Sequence, residues 1–146
     1  MSRPLVVDAS VAFKWFVPEV GQEAALSLLD RPDRLIAPEL LLAEVANIAW
    51  KARAQGRITP AQARDLLGRV EEPFDEIVSM RPHFGLAHEL GAAFHRPIYD
   101  FVYVALAEDR DGVLVTADAK LRHLLVGTRW AARVVALGEL GGLATL

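Results

Sequence analysis

The sequence predicts an α/β fold with three layers, in which helices cover both faces of a central, mainly parallel sheet. Two apolar runs support this prediction: residues 5–7 (LVV) lead directly into Asp8, and residues 113–115 (VLV) lead towards Asp118. Uninterrupted runs of this kind are typical of strands that are buried on both faces. Strand-like runs also alternate with helical segments along the chain, which indicates parallel strands joined by helices.

Capping residues, prolines and apolar periodicity define the other elements. Ser10 can cap a short helix that Pro18 ends, Pro38 suits the first turn of a long helix, and Gly56 stops that helix. The predicted strands are 4–8, 34–37, 76–80, 113–115 and 133–136, and the predicted helices are 11–17, 20–29, 38–55, 59–70, 83–94, 100–110 and 118–124.

The length and composition predict a single domain over residues 1–146 that needs no disulfide bonds. The chain has no cysteine, which excludes cysteine-ligated zinc and a cysteine nucleophile and agrees with a cytoplasmic location. No apolar window is long enough and free of charge, so neither a membrane span nor a secretory signal is expected. The net charge of −3 provides no overall attraction to nucleic acid. The aromatic side chains are expected in the core or at an interface.

Four acidic residues stand where an α/β chain places its functional groups. Asp8 and Asp118 follow strands, Asp100 begins a helix, and Glu44 lies within an otherwise apolar helix. Each acid alone could be a helix cap, a loop residue or the partner of an arginine. Their shared placement at or near strand ends and helix starts indicates instead a common site at the carboxyl edge of the sheet. Carboxylates that lie close together repel each other unless a proton or a cation separates them, so a divalent metal is the obvious ligand.

With acids in these positions the chain resembles the PIN domain family, and within that family the VapC-like ribonuclease toxins. The resemblance covers nearly the whole length. Each matching segment is weak alone, and the four in this order are a strong signal. The segments are 6–10 (VVDAS), 38–47 (PELLLAEVAN), 99–107 (YDFVYVALA) and 116–121 (TADAKL).

The resemblance implies a ribonuclease that hydrolyses RNA phosphodiester bonds with metal-activated water and serves as the toxin of a toxin–antitoxin pair. It implies Mg²⁺ or Mn²⁺ as the cofactor, and hard cations of this kind prefer oxygen ligands. A small cognate antitoxin and a second copy of the chain are the implied protein partners. The implied catalytic and metal-binding residues are Asp8, Glu44, Asp100 and Asp118, with Ser10, Asn47 and Thr116 as accessory residues.

Two other functions stay open on the sequence alone. The same fold could serve as a non-catalytic module that binds a metal or a partner through its acids. An Asp-dependent phosphatase also places an aspartate after its first strand, but it usually has a second aspartate two residues later, where this chain has Ser10.

Overall fold

The computed structural model describes residues 3–142, so residues 1, 2 and 143–146 of the predicted domain lie outside the described part. The α/β prediction is confirmed. Five strands form a sheet in the spatial order β3-β2-β1-β4-β5, and every neighbouring pair is parallel. The strands are β1 (Leu5–Val7), β2 (Leu35–Pro38), β3 (Glu76–Val78), β4 (Val113–Thr116) and β5 (Val134–Ala136).

Helices cover the sheet and complete the three layers. Helix α6 packs across β1, β2 and β4 and against α5, while α1 and α3 pack on each other and on β4 and β2. The α-helices are α1 (Ala9–Lys14), α2 (Gln22–Ser27), α3 (Leu40–Ala54), α4 (Pro60–Arg69), α5 (Phe84–Phe94), α6 (Tyr99–Asp109) and α7 (Ala119–Leu124). Short 3-10 helices cover Leu28–Asp30, Arg81–His83, Arg129–Arg133 and Leu137–Gly142.

The core is centred on β1 and α6. All three residues of β1 are fully buried, and so is nearly every side chain at positions 101–107 of α6. A helix that is apolar on all sides belongs inside a protein, and α6 accordingly runs across the middle of the sheet. Its position brings the first turn of α6 towards the ends of β1 and β4.

Several predicted element boundaries were wrong: the helix predicted over 11–17 ends at Lys14 and the strand predicted over 76–80 ends at Val78, and three further differences lie at other elements. Helix α1 begins at Ala9 and its cap is Asp8 rather than Ser10, because the Asp8 side chain accepts the N–H of Val11. Pro38 ends β2 instead of opening the next helix, since its pairing with Val78 extends the strand through it. The segment predicted as helix 20–29 divides into α2 and the following 3-10 helix. None of these changes moves an acidic residue away from the carboxyl edge of the sheet.

The helices of residues 3–142 are all too short or too polar to cross a membrane.

Candidate active site

The neighbouring strands β1 and β4 bring two distant aspartates to one edge of the sheet. Val7 pairs with Val115 in parallel register. The backbone N–H of Asp8 continues the pairing by donating to the Val115 carbonyl at 3.3 Å. Asp118 lies two residues after Thr116, the last residue of β4. The carboxyl ends of parallel strands form the usual ligand-binding edge of an open α/β sheet, and both aspartates lie there.

Each of these aspartates is held by the helix that it caps. The Asp8 Oδ1 atom accepts the Val11 N–H at 3.1 Å and the Ser10 hydroxyl at 2.6 Å. The Asp118 Oδ1 atom accepts the backbone N–H groups of Lys120 at 2.9 Å and Leu121 at 3.4 Å. Aspartate is among the preferred helix caps, so the local sequence fixes the direction of both carboxylates.

Thr116 hydrogen-bonds to both aspartates from the buried side of the cleft. This last residue of β4 is fully buried. Its hydroxyl oxygen accepts the Asp118 N–H at 3.0 Å. The same hydroxyl hydrogen-bonds to the Asp8 carboxylate. Thr116 does not line the cleft, so its predicted accessory role would act through the two aspartates.

The other two acids come from helices. Asp100 lies in the first turn of α6, where the helix dipole favours a carboxylate. Glu44 projects from α3, and its Oε1 atom accepts the Tyr103 hydroxyl at 2.5 Å. Tyr103 had been expected to serve only as a core or interface aromatic. Its spacing of three residues from Asp100 on one helix is the signal that could have placed it beside the acids.

All four acids line a cleft of about 510 Å³. The structure therefore brings together the acids that were predicted from four separate segments, and it adds two of the three predicted accessory residues. The α3 side of the cleft contributes an apolar wall beside the charged groups. Besides the acids, the lining residues are Ala9, Ser10, Leu40, Ala43, Asn47, Ile48, Tyr99 and Tyr103.

Burial and mutual repulsion make negative charge costly in this cleft. Burial raises the pKa of Asp8, against the hydrogen bonds from Ser10, Thr116 and the Val11 backbone, and the charge of Asp100 raises it further. Burial also raises the pKa of Glu44, with added repulsion from Asp100 and Asp8. The pKa of Asp100 is raised by burial and by Asp118, although Arg96 opposes the shift. A bound cation would relieve this repulsion.

Arg96 was not among the residues predicted from the sequence. Its Nη2 atom lies 2.9 Å from Asp100 Oδ2 and 3.3 Å from Asp118 Oδ2, so one guanidinium bridges two of the four acids. The signal in the sequence is the arginine four residues before Asp100, but that spacing alone does not reveal the contact with Asp118.

The donor set suits a hard divalent cation. It consists of carboxylate, hydroxyl and amide oxygens, which Mg²⁺ and Mn²⁺ prefer. As they stand, no three His, Cys, Asp or Glu side chains of the described chain are arranged to hold a metal ion. Arg96 instead contacts Asp100 and Asp118, and the Tyr103 hydroxyl donates to Glu44. The residues fit the cation chemically.

The sequence and structure are similar to known proteins. Residues 5–125 match the PIN domain family. Ribonuclease VapC3 from Pyrobaculum aerophilum is 33% identical in a 123-residue alignment that covers 80% of this chain and 91% of that protein. The crystal structure of PAE2754 from Pyrobaculum aerophilum superimposes with a TM-score of 0.67 at 25% identity, covering 94% of this chain and 86% of that chain.

Two further solved structures share the fold at lower identity. A toxin–antitoxin complex from Klebsiella pneumoniae aligns with a TM-score of 0.60 at 16% identity, covering 91% of this chain and 97% of that chain. VapBC2 from Rickettsia felis, bound to a DNA fragment from its promoter, aligns with a TM-score of 0.62 at 14% identity, covering 90% of this chain and 97% of that chain.

Proposed function

This chain belongs to the PIN domain family, and we propose that it is a metal-dependent endoribonuclease that acts as the toxin of a toxin–antitoxin pair. The observation that carries the proposal is the convergence of four acids from β1, α3, α6 and the end of β4 on one cleft. The similarity to Ribonuclease VapC3 over most of both chains supports the nuclease assignment.

We assign metal binding to Asp8, Glu44, Asp100 and Asp118, with Mg²⁺ or Mn²⁺ as the cation. When bound, such a cation activates water for attack on the phosphodiester and stabilises the charge that develops on the phosphate. Ser10 and Thr116 orient the Asp8 carboxylate through their hydroxyl groups, and Thr116 also fixes the backbone of Asp118.

The side chains of the cleft favour water over a protein nucleophile. The chain has no cysteine. The Ser10 hydroxyl donates to Asp8 and is not paired with a histidine. Burial and the nearby Glu44 raise the pKa of Tyr103 well above its ordinary value, so this residue keeps its proton. Ser10 therefore lacks the histidine that commonly activates a serine nucleophile, and a tyrosine that keeps its proton is a weak nucleophile.

We propose that the RNA strand leaves the cleft along α3. Asn47 lines the cleft on this helix. Lys51 lies about two turns after Glu44 and therefore on the same helix face, where it is exposed. The neighbouring Trp50 is 65% exposed. A cation that meets a phosphate and an exposed aromatic ring that stacks on an unpaired base are the usual components of a single-strand binding path.

We also propose the partners and the location that the family implies. A small antitoxin would cover the cleft, where an apolar wall stands beside acids and suits a segment that combines apolar and basic side chains. A second copy of the chain would complete a homodimer, and the absence of cysteine agrees with action in the cytoplasm.

Incubation of purified protein with structured RNA tests the proposed activity. Wild type is compared with Asp8→Asn, in Mn²⁺, in Mg²⁺ and with chelator, and Asp65→Asn on the exposed face of α4 is the control. Cleavage by wild type and by the control, lost in Asp8→Asn and in chelator, is the expected result. Equal cleavage by all three proteins would overturn the assignment of the site.

Two further results would favour the other functions. Metal binding without cleavage of any RNA would favour a non-catalytic binding module. Hydrolysis of a small phosphate ester without cleavage of RNA would favour a phosphatase.

A further inference from the structure

We propose that Arg96 is an internal counter-cation that sets the metal affinity of the cleft: it neutralises Asp100 and Asp118 in the metal-free protein and is displaced from them when a divalent cation binds. The observation is the guanidinium that contacts one oxygen of each acid, at 2.9 Å and 3.3 Å. The inference rests on the proposed function, because it assumes that these two acids bind metal.

The backbone of Arg96 is fixed by the turn between α5 and α6. His95 ends α5 in the left-handed region, with φ 55°. The Arg96 N–H then donates to the Gly91 carbonyl at 3.2 Å. The Arg96 carbonyl oxygen comes within 2.9 Å of the place where a side chain on residue 91 would begin, so the close approach requires glycine there. Pro97 further restricts the backbone of the residue before it.

Because the backbone is held, only the Arg96 side chain can leave the acids. An arginine does not lose its proton in proteins, so neutralisation by deprotonation is not available. When another cation approaches, the guanidinium must therefore move away from Asp100 and Asp118 or compete with that cation for them.

The strength of the contacts suits such an exchange. The side chains of Arg96, Asp100 and Asp118 are 27%, 39% and 37% exposed, respectively. Ion pairs with this much contact with water contribute modestly to stability. They can hold two carboxylates near each other without preventing a divalent cation from replacing the arginine.

A structural role and a counter-cation role predict opposite effects of removing the guanidinium. If Arg96 merely positioned Asp100 and Asp118, its loss would weaken metal binding. If Arg96 competes with the metal, its loss leaves the cleft more negative and metal binding becomes tighter.

Calorimetric titration of the full chain with MnCl₂, without RNA, separates these two roles. We expect Arg96→Gln to bind Mn²⁺ about tenfold more tightly than wild type, and Arg96→Lys, which keeps the charge, to stay close to wild type. Arg110→Gln is the matched control, because Arg110 pairs with Glu76 about 15 Å along α6 from Asp100. The control should leave the Mn²⁺ affinity unchanged.

Thermal unfolding provides the second readout. In chelator, Arg96→Gln should melt below wild type because two carboxylates lose their counter-charge, and Mn²⁺ should raise its melting temperature more than that of wild type. Arg96→Met replaces the glutamine variant if the latter does not fold.

The possible failures are distinct. If the neutral variants bind Mn²⁺ no more tightly than wild type, the proposed role of Arg96 is wrong. The proposed metal site is not affected by that result. Absence of Mn²⁺ binding by wild type overturns the proposed metal site and this inference with it.

Discussion

The Tyr103 hydroxyl donates a 2.5 Å hydrogen bond to Glu44 and so joins the core helix α6 to α3 across the cleft. The backbone of Ala9 hydrogen-bonds to the same hydroxyl. One buried side chain of α6, the helix that carries Asp100, thus contacts Glu44 on α3 and the first residue of α1, which follows Asp8. The geometry of the acids therefore depends on a residue that carries no charge.

Replacing Tyr103 by Phe should shift the pH dependence of cleavage. The Tyr103 bond lowers the pKa of Glu44, so its loss raises that pKa further above the ordinary value. The acidic limb of the activity profile should move to higher pH, and the free energy of unfolding should fall by about 1–3 kcal/mol. Rate–pH profiles and denaturant unfolding measure the two effects.

Tyr99→Phe is the matched control, since Tyr99 lines the same cleft from the same helix but is mostly exposed. A profile of Tyr103→Phe that coincides with that of the control would contradict a role for the hydroxyl in charging Glu44.

Without metal, Asp8→Asn should stabilise the protein at neutral pH. The pKa of Asp8 is raised in the folded protein. The stability of the metal-free protein therefore falls as the pH rises from the ordinary pKa of an aspartate through the raised pKa of Asp8. Asparagine does not ionise, so the variant does not lose stability in this pH range, and its side-chain oxygen can still cap α1. Its melting temperature in chelator should exceed that of wild type at pH 7.5, and the gap should close towards pH 4.

Asp111→Asn should show the opposite trend. Arg133 lowers the pKa of Asp111, so this carboxylate stabilises the fold above its ordinary pKa, and the contribution is lost as the pH falls. The Asp111 backbone has φ 50°, which asparagine tolerates. If Asp8→Asn and Asp111→Asn both melted above wild type at pH 7.5, or both below it, this electrostatic account would be refuted.

Divalent metal should stabilise wild type and leave Asp8→Asn nearly unchanged. A ligand that binds only the folded state adds about 2.7 kcal/mol to its stability at a concentration of 100 times Kd. Thermal melts in a series of Mn²⁺ and Mg²⁺ concentrations measure the effect. A melting temperature of wild type that does not move at millimolar metal would argue against a metal site in the cleft.

Thr116→Val should weaken metal binding while preserving the shape of the core. The substitution leaves the Asp118 N–H without its hydroxyl acceptor and removes the hydrogen bond to Asp8. A cost of about 1–3 kcal/mol in unfolding free energy is expected for the unpaired N–H. Thr116→Ser restores the hydroxyl and should recover Mn²⁺ affinity by calorimetry, whereas a serine variant as weak as valine would show that the methyl group, not the hydroxyl, matters.

Trp50→Ala and Lys51→Gln should raise the KM for RNA with little change in kcat or Mn²⁺ affinity. Each removes a contact proposed to lie along the RNA path, away from the acids, and loss of one stacked base costs about 1–3 kcal/mol. Arg64→Gln, on the exposed surface of α4, is the control. Size-exclusion chromatography accompanies the kinetics, because a change in oligomeric state with unchanged KM would assign Trp50 to a contact between copies instead.

Local sequence patterns were sufficient to predict the layers of the fold and the edge positions of Asp8 and Asp118, whereas the assignment of all four acids to one metal site came from the resemblance to the PIN domain family and stays a prediction. Parallel strands buried on both faces appear as uninterrupted apolar runs, and the residue after such a run must lie at the carboxyl edge. The apolar runs before Asp8 and Asp118 therefore predicted both the strands and the position of these two acids at the carboxyl edge of the sheet. The same reasoning failed at Pro38, because pairing with β3, rather than the local preference of proline, decided where β2 ends.

Only the tertiary structure decided which groups meet the acids. Arg96 reaches Asp118 across 22 positions of sequence, and Tyr103 reaches Glu44 across 59. Periodicity and capping describe neighbours along the chain, so they contain no information about contacts that depend on strand order. Placing β4 beside β1 and folding the α5–α6 turn onto Gly91 brings Arg96 to the acids, and these are consequences of packing the whole core.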